Sequence, residues 1–326
     1  MDRHKMLYPL RFQPLLKRYL WGGRRLETEL GKTLGDGDDY AESWELVDHG
    51  ADQSVVLAGP LCGTTLRSLV HEQGHDLLGR DFPQEGFPLL WKFLDAHKAL
   101  SVQVHPDDSL AAKLDPPDRG KTEAWVVLAA EPGSLLYAGL KPGVDRTTFE
   151  RAIAEGTCAS CLHRVEPNVG DCFYIPAGTV HALGAGLLVA EIQQASDTTY
   201  RLFDWDRIGP DGKKRPLQID AGLEAVDFSR GPVAPQIPKP TDRPGAECLI
   251  DGEKFRLDRL LASGPLAIGG DERCHILVNL ADPVYVAGDA VDRPLSRGEV
   301  MLLPASLGEV AIDPAGKTTL LDAFLP

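Results

Sequence analysis

The stretch Gly170-Asp171-Cys172-Phe173-Tyr174-Ile175-Pro176-Ala177-Gly178-Thr179-Val180-His181 has the skeleton G-x5-P-x-G-x2-H, and its reading decides the fold. Gly170 and Asp171 make a turn, because glycine accepts positive φ and aspartate bonds its own backbone. Cys172 to Ile175 are β-formers that suit a short buried strand. Pro176 has no N–H to give to a ladder and stops that strand. Gly178 lets the chain turn tightly before His181 opens the next strand. A histidine held on such a corner, at the mouth of a β-barrel, is a ready metal ligand.

Partners for His181 are found upstream. Residues 100–106, Leu-Ser-Val-Gln-Val-His-Pro, read as a strand, and side chains two apart on a strand share a face, so Gln103 and His105 point the same way. Residues 120–128 read as another strand, with Lys121 and Glu123 on one face. Gln103, His105, Glu123 and His181 together make a four-ligand set. Two imidazoles, one carboxylate and one amide oxygen suit one borderline divalent ion, zinc first, with manganese, iron and cobalt open. Such a site carries about one net positive charge and attracts anions. Taken singly, each residue also has an ordinary structural reading: a strand-end histidine, a polar strand position, a solvated carboxylate, a histidine bonded to a turn carbonyl.

Around this group the pattern is that of short strands. Residues 41–46 alternate like a strand, 87–96 read as a buried one, and Leu187–Gln194 as another. Helices are few. Thr65 caps one that carries Leu66, Leu69 and Val70 at helical spacing, with His71 and His75 expected on its surface. Asp107 caps a short helix at 109–114, residues 145–154 form a helix with Phe149 and Ile153 inward, and 217–228 form another. Cys158-x-x-Cys161 stands alone, without the second pair or βαβ context of a zinc or redox site. Five prolines (232, 235, 238, 240 and 244) stiffen a linker. Beyond it, Gly298-x5-Pro304 repeats the opening skeleton, with Ser306 for the second glycine and Glu309 where the histidine would fall. No βαβ rhythm is present, which favours antiparallel sheets. The expectation is a mainly β chain of two β-barrels. The first spans 1–230, with a small helical insertion at about 145–163, and a linker covers 231–246. A degenerate second barrel that has lost its ligands then fills 247–326.

Composition narrows the partners. The chain has 326 residues, ample for a large core, with 43% hydrophobic and 25% charged residues. A net charge of −14 argues against nucleic acid or an anionic membrane, both of which need basic surface. No run approaches the roughly 18 apolar residues of a membrane span. The first residues lack a signal peptide's apolar core, so the cytoplasm is the expected compartment. The six cysteines are scattered and expected to be reduced.

At these residues the chain resembles the type I mannose-6-phosphate isomerases (phosphomannose isomerases) of the short bacterial form. The resemblance runs through Trp21-Gly22-Gly23, 41–45, 87–90, the Leu-Ser-Val-Gln-Val-His-Pro string, Gly120-Lys121-Thr122-Glu123, the opening motif, 191–194 and 196–201. It implies two cupin (jelly-roll) barrels with a small helical part. It also implies one divalent ion, zinc by family habit, on Gln103, His105, Glu123 and His181. Arg201 takes the place of the family's active-site arginine, and Lys121 and Glu191 fall on its acid/base and substrate-handling positions. The implied activity is interconversion of mannose 6-phosphate and fructose 6-phosphate through a cis-enediol. The implied partner is a phosphorylated hexose, on a monomer or homodimer. Longer members carry a large helical domain that here shrinks to about 145–163. Arg201 has a structural alternative as the partner of Asp197 or Asp204. Two rival readings share the fold: a cupin phosphoglucose isomerase, and a sugar-phosphate-binding cupin without turnover.

Overall fold

The computed structural model describes residues 6–209 and 212–326. It is mainly β with few helices, and every strand pairing between named strands is antiparallel. Residues up to 203 build a two-stranded sheet, Asp48–His49 with Asp52–Gln53, and two large ones. One has six strands in the order Leu15–Gly23, Tyr40–Leu46, Leu89–Ala96, Leu187–Gln194, Glu123–Ala130, Cys172–Ile175. The other has five, in the order Tyr200–Phe203, Val102–Val104, His181–Leu183, Leu136–Leu140, Leu162–Val165. The C-terminal part repeats the plan with a six-stranded sheet that includes Arg256–Ala262, Thr318–Phe324, His275–Asn279 and Val300–Leu303. A three-stranded sheet of Leu266–Gly269, Glu309–Pro314 and Val284–Val286 faces it. Among the described residues no sheet closes on itself.

Alternation along the strands builds three layers of core. In the first six-stranded sheet, Trp91, Phe93, Leu188, Ala190 and Ile192 face outward, against Leu249, Leu257, Ile276, Val278 and Leu321 of the C-terminal sheet. The opposite parity (Leu94, Ala96, Trp125, Val127, Leu187 and Val189) packs inward on Leu136, Ala138 and Leu183 of the five-stranded sheet. The outer face of that second sheet, with Val102, Val104, Ala182 and Leu202, is covered by Phe149 and Ile153 of helix Arg146–Ala154 and Leu223 of helix Ile219–Ala225. Burying each of these large side chains contributes about 1.5–3 kcal/mol.

Several local expectations meet the structure closely. Thr65 caps helix Leu66–Leu78 by accepting from Ser68 N, and His71 and His75 on it are exposed. Asp107 caps the short helix Asp108–Ala111, and Asp145 caps Arg146–Ala154. The helix expected at 217–228 is shorter, Ile219–Ala225, because the backbone leaves the helical region at Gln218 and at Val226. The proline-rich segment is tied down on both sides: Val233 N donates to Ala138 O, Gln236 N to Cys172 O, and Lys239–Pro240 pairs with Ala246–Asp251. At the start, Leu10 bridges to Leu302, and Arg11 is buried against Asp289 and Glu299. Among the described residues, no helix is long and apolar enough to cross a membrane.

Candidate active site

The inner faces of the two sheets change character half-way along. Leu187 and Val189 point inward, and the next residues of the same parity are Glu191 and Gln193. Ala96 and Leu94 give way to Lys92, and Val127 and Trp125 to Glu123. Register aligns these changes, because Glu191 lies opposite Lys92 on one neighbour and Trp125 on the other, with Gln193 opposite Glu123. Across the gap, the five-stranded sheet brings Arg201 opposite Gln103 and Gln103 opposite His181. A polar cavity of 270 Å³ lies between the two rows, with Tyr19, Trp21, Asp197 and Arg215 also on its wall.

His105, Glu123 and His181 meet at one end, all buried, with their candidate ligand atoms within 4.8 Å of one another. The Nδ1 atoms of both rings are engaged: His105 donates to Thr198 O at 3.0 Å and His181 to Thr179 O at 2.9 Å. Each Nε2 therefore presents a lone pair inward, 3.4 Å (His105) and 3.2 Å (His181) from the Glu123 carboxylate. Two imidazole lone pairs and a carboxylate are all acceptors, and such a trio fits a cation. The Gln103 amide nitrogen stands 3.3 Å from His181 Nε2 and its oxygen accepts from Ser101 Oγ at 3.3 Å, so turning the amide over would bring the oxygen to the same point. Burial first, then the Lys121 ammonium, pushes the His105 imidazolium down to about 3, and burial lowers His181 too, so both rings are neutral ligands in waiting. Burial alone would raise Glu123, but the Lys121 ammonium holds it well below the usual carboxylate range.

Beside this trio runs a ladder of alternating charge. Lys121 Nζ donates to Glu123 and lies 3.6 Å from Glu191; Lys92 Nζ lies 3.4 Å from Glu191 and 3.4 Å from Glu42. Trp125 Nε1 donates to Glu191 at 2.9 Å, while the other Glu191 oxygen has no hydrogen-bond partner among the described residues. Burial, then repulsion from Glu123, moves the Glu191 carboxyl up to about 7 against the pull of the two lysines. That places it in the range of a proton-transfer group at neutral pH. Arg201 does not pair with Asp197 or Asp204. Its Nη1 donates to Pro216 O at 3.1 Å and its Nε has no partner among the described residues, whereas Asp204 is held by Arg207 and Arg215.

The family model for the phosphomannose isomerase type I catalytic domain matches residues 9–124. The chain is 34% identical over 311 residues to the probable mannose-6-phosphate isomerase GmuF of Bacillus subtilis, covering 94% of this chain and 97% of that protein. Identity is also 34% to the mannose-6-phosphate isomerase ManA of the same species, over 94% and 96%. The chain belongs to the mannose-6-phosphate isomerase family. The crystal structure of the Bacillus subtilis mannose 6-phosphate isomerase superposes with a TM-score of 0.88 at 28% identity, covering 97% of this chain and 99% of that one.

In this mannose-6-phosphate isomerase family member, all seven residues singled out from the sequence come to one cavity. Gln103, Lys121, Glu123, His181, Glu191 and Arg201 line it, and His105 backs it through its contact with Lys121 at 3.2 Å. The sequence reading missed Lys92, Glu42 and Arg215. Lys92 and Glu42 sit in strands whose apolar neighbours mask them, and the signal available was parity: both fall on the inward face shared with Glu191. Cys158 and Cys161 are buried under helix Arg146–Ala154, away from the cavity. Among the described residues His105, Glu123 and His181 are the one group of three or more such side chains close enough for a metal. Glu309, the counterpart of His181 in the repeated motif, is exposed.

Proposed function

We propose that this chain is a metal-dependent aldose–ketose isomerase that interconverts mannose 6-phosphate and fructose 6-phosphate. The observation that carries the reading is the convergence of His105, Glu123 and His181 on one point, beside Glu191 and Lys121, in a chain that matches isomerase relatives along nearly its whole length. His105, Glu123, His181 and the Gln103 amide oxygen would hold the ion, with zinc first by ligand chemistry. When bound, it supplies Lewis-acid polarisation of the sugar oxygens.

The reaction moves the C2 proton of the open-chain aldose to C1, while O1 gains and O2 loses a proton. Glu191 is the group we assign to the carbon-bound proton, since it lines the cavity, its Oε1 meets the Lys92 and Lys121 ammonium groups at 3.4 and 3.6 Å with no hydrogen bond among the described residues, and burial brings its carboxyl up to about 7. Lys121, 3.6 Å away, is assigned to the oxygen-bound proton. Arg201, with an uncommitted Nε, and Arg215 give the mouth cationic donors for the phosphate dianion or the developing enediolate. The repeated strand-turn-strand skeleton supports reading the two sheet pairs as cupin modules, 1–230 and 247–326, joined by 231–246, with the second serving as support. Cytoplasmic residence fits a phosphorylated substrate.

The test is a coupled assay on purified protein as isolated, after chelation, and after zinc is restored. Activity that falls with chelator and returns with zinc supports the reaction and the metal together. Folded protein inactive in every metal would move the reading to a sugar-phosphate-binding cupin. Turnover of glucose 6-phosphate but not mannose 6-phosphate would make it a phosphoglucose isomerase.

A further inference from the structure

Behind the cavity, one carboxylate holds the backbone that orients His105. Asp118 is largely buried, with 13% of its side chain exposed. Its Oδ2 accepts from Ser196 Oγ at 2.8 Å and Thr198 Oγ1 at 2.6 Å. Its Oδ1 accepts from Arg119 N at 2.8 Å and faces His49 Nε2 at 3.1 Å. Thr198 N closes the loop by donating to Ser196 Oγ at 3.2 Å. The carbonyl of this same Thr198 receives the His105 Nδ1 proton at 3.0 Å. Segment 196–198 is a thin partition: Asp197 borders the 270 Å³ cavity on one side and a larger one on the other, which Thr198, His49 and Asp118 also line.

We propose that Asp118 is a positioning residue: by clamping the Ser196 and Thr198 hydroxyls it fixes the Thr198 carbonyl, and through it the tautomer and aim of His105. The inference rests on His105 being a metal ligand. Without the clamp, the two hydroxyls turn to water in the larger cavity and the Thr198 peptide gains freedom. His105 then loses the hydrogen bond that engages its Nδ1 and leaves the Nε2 lone pair inward. Outer partners of ligating histidines typically change metal affinity or activity by about 10–100-fold when removed. Burial would raise the Asp118 carboxyl, but the His49 contact, then the hydrogen bonds from Thr198, Ser196 and Arg119, hold it well below its usual range, so the acceptor stays charged. His49 is the less direct member, because it touches only the oxygen that does not hold the hydroxyls.

The experiment measures zinc affinity by chelator competition on metal-stripped protein, with kcat and KM measured separately, for wild type, Asp118→Ala, Asp118→Asn and Thr198→Val. Asp118→Ala is expected to bind zinc about 10–100-fold more weakly while folded. Asp118→Asn, whose amide oxygen still accepts the hydroxyls, is expected to recover most of that loss. Thr198→Val, which removes one bond and leaves the charge, should fall between them, and it carries the test alone if Asp118→Ala does not fold. Wild type that binds zinc, with Asp118→Ala and Thr198→Val binding as tightly, overturns this inference and leaves the metal centre standing. Wild type that binds no zinc overturns the metal centre and this inference with it. A loss in Asp118→Ala that Asn does not restore also overturns the clamp.

Discussion

Glu191 is held at Oε2 by the Trp125 indole, while its Oε1 lies between the Lys92 and Lys121 ammonium groups with no hydrogen bond among the described residues. Glu191→Gln keeps the shape and the indole bond but removes the proton acceptor. It is expected to lower kcat by about 10²–10⁴ with zinc content unchanged. A variant that loses zinc and turnover together would make Glu191 a structural partner. Arg201→Ala should likewise reduce kcat without loss of metal, because no hydrogen bond of Arg201 reaches the His105, Glu123, His181 group; steady-state kinetics beside metal analysis checks it. Gln103, His105, Glu123 and His181 were legible because two of them sit at fixed spacing on one strand, another on a short polar string, and the last on a turn whose glycine and proline announce it. Lys92 was not, because it lies within Leu-Leu-Trp-Lys-Phe-Leu and its direction appears only when Glu191 stands opposite it.

The turn that delivers His181 depends on Gly178, whose φ is +87° and whose N–H donates to His105 O at 2.9 Å. A Cβ there would lie 3.1 Å from Asp227 Cβ and 3.2 Å from Ala225 O, so helix Ile219–Ala225 and its C-terminal extension press on the turn. Gly178→Ala is expected to cost about 1–3 kcal/mol, read as a lowered urea midpoint, and to weaken zinc binding. An unchanged midpoint would mean the turn relaxes. Individual strands and caps could be read from local pattern: the strand read at Leu187–Gln194 has those bounds in the structure, and the Asp107, Asp145 and Thr65 caps are in place. The pairing could not. That Leu187–Gln194 lies between Leu89–Ala96 and Glu123–Ala130 is a contact between distant segments, and no short-range preference encodes it.

At the scale of the whole molecule, the C-terminal sheets carry a buried ionic group of their own. His275 bonds Asp322 at 2.8 Å and Asp271 at 3.0 Å, and Arg243 reaches Asp322 at 2.8 Å and Asp258 at 2.6 Å. Burial disfavours the His275 imidazolium, but Asp322 and Asp271 outweigh it and bring it up to about 10. Since this exceeds the unfolded value of about 6.5, the stabilisation is complete below pH about 6.5 and fades as pH rises toward 10, at up to about 1.4 kcal/mol per unit. Asp322 and Asp271 are lowered, so their share is present above the ordinary carboxylate range and fades in acid. Urea midpoints from pH 6 to 10 should decline in the wild type and flatten in His275→Gln; parallel slopes would count against the assignment. That the two six-stranded sheets share a core also escaped the sequence, because an apolar strand face does not say which sheet it will meet.

The bridge from Leu10 to Leu302, with Arg11 inserted between Asp289 and Glu299, bears on how the chain is born. A nascent chain emerges from the ribosome in order, so the Arg11 side chain lacks these partners until some 280 later residues have been made, while its carbonyl already accepts from Leu57 N. The outward row of Trp91, Phe93, Leu188 and Ile192 likewise waits for its C-terminal partners, with only earlier residues such as Leu66, Leu69 and Leu77 of the cluster present before them. Slowing elongation late in the message, or depleting chaperones, should therefore harm yield more than the same delay early on.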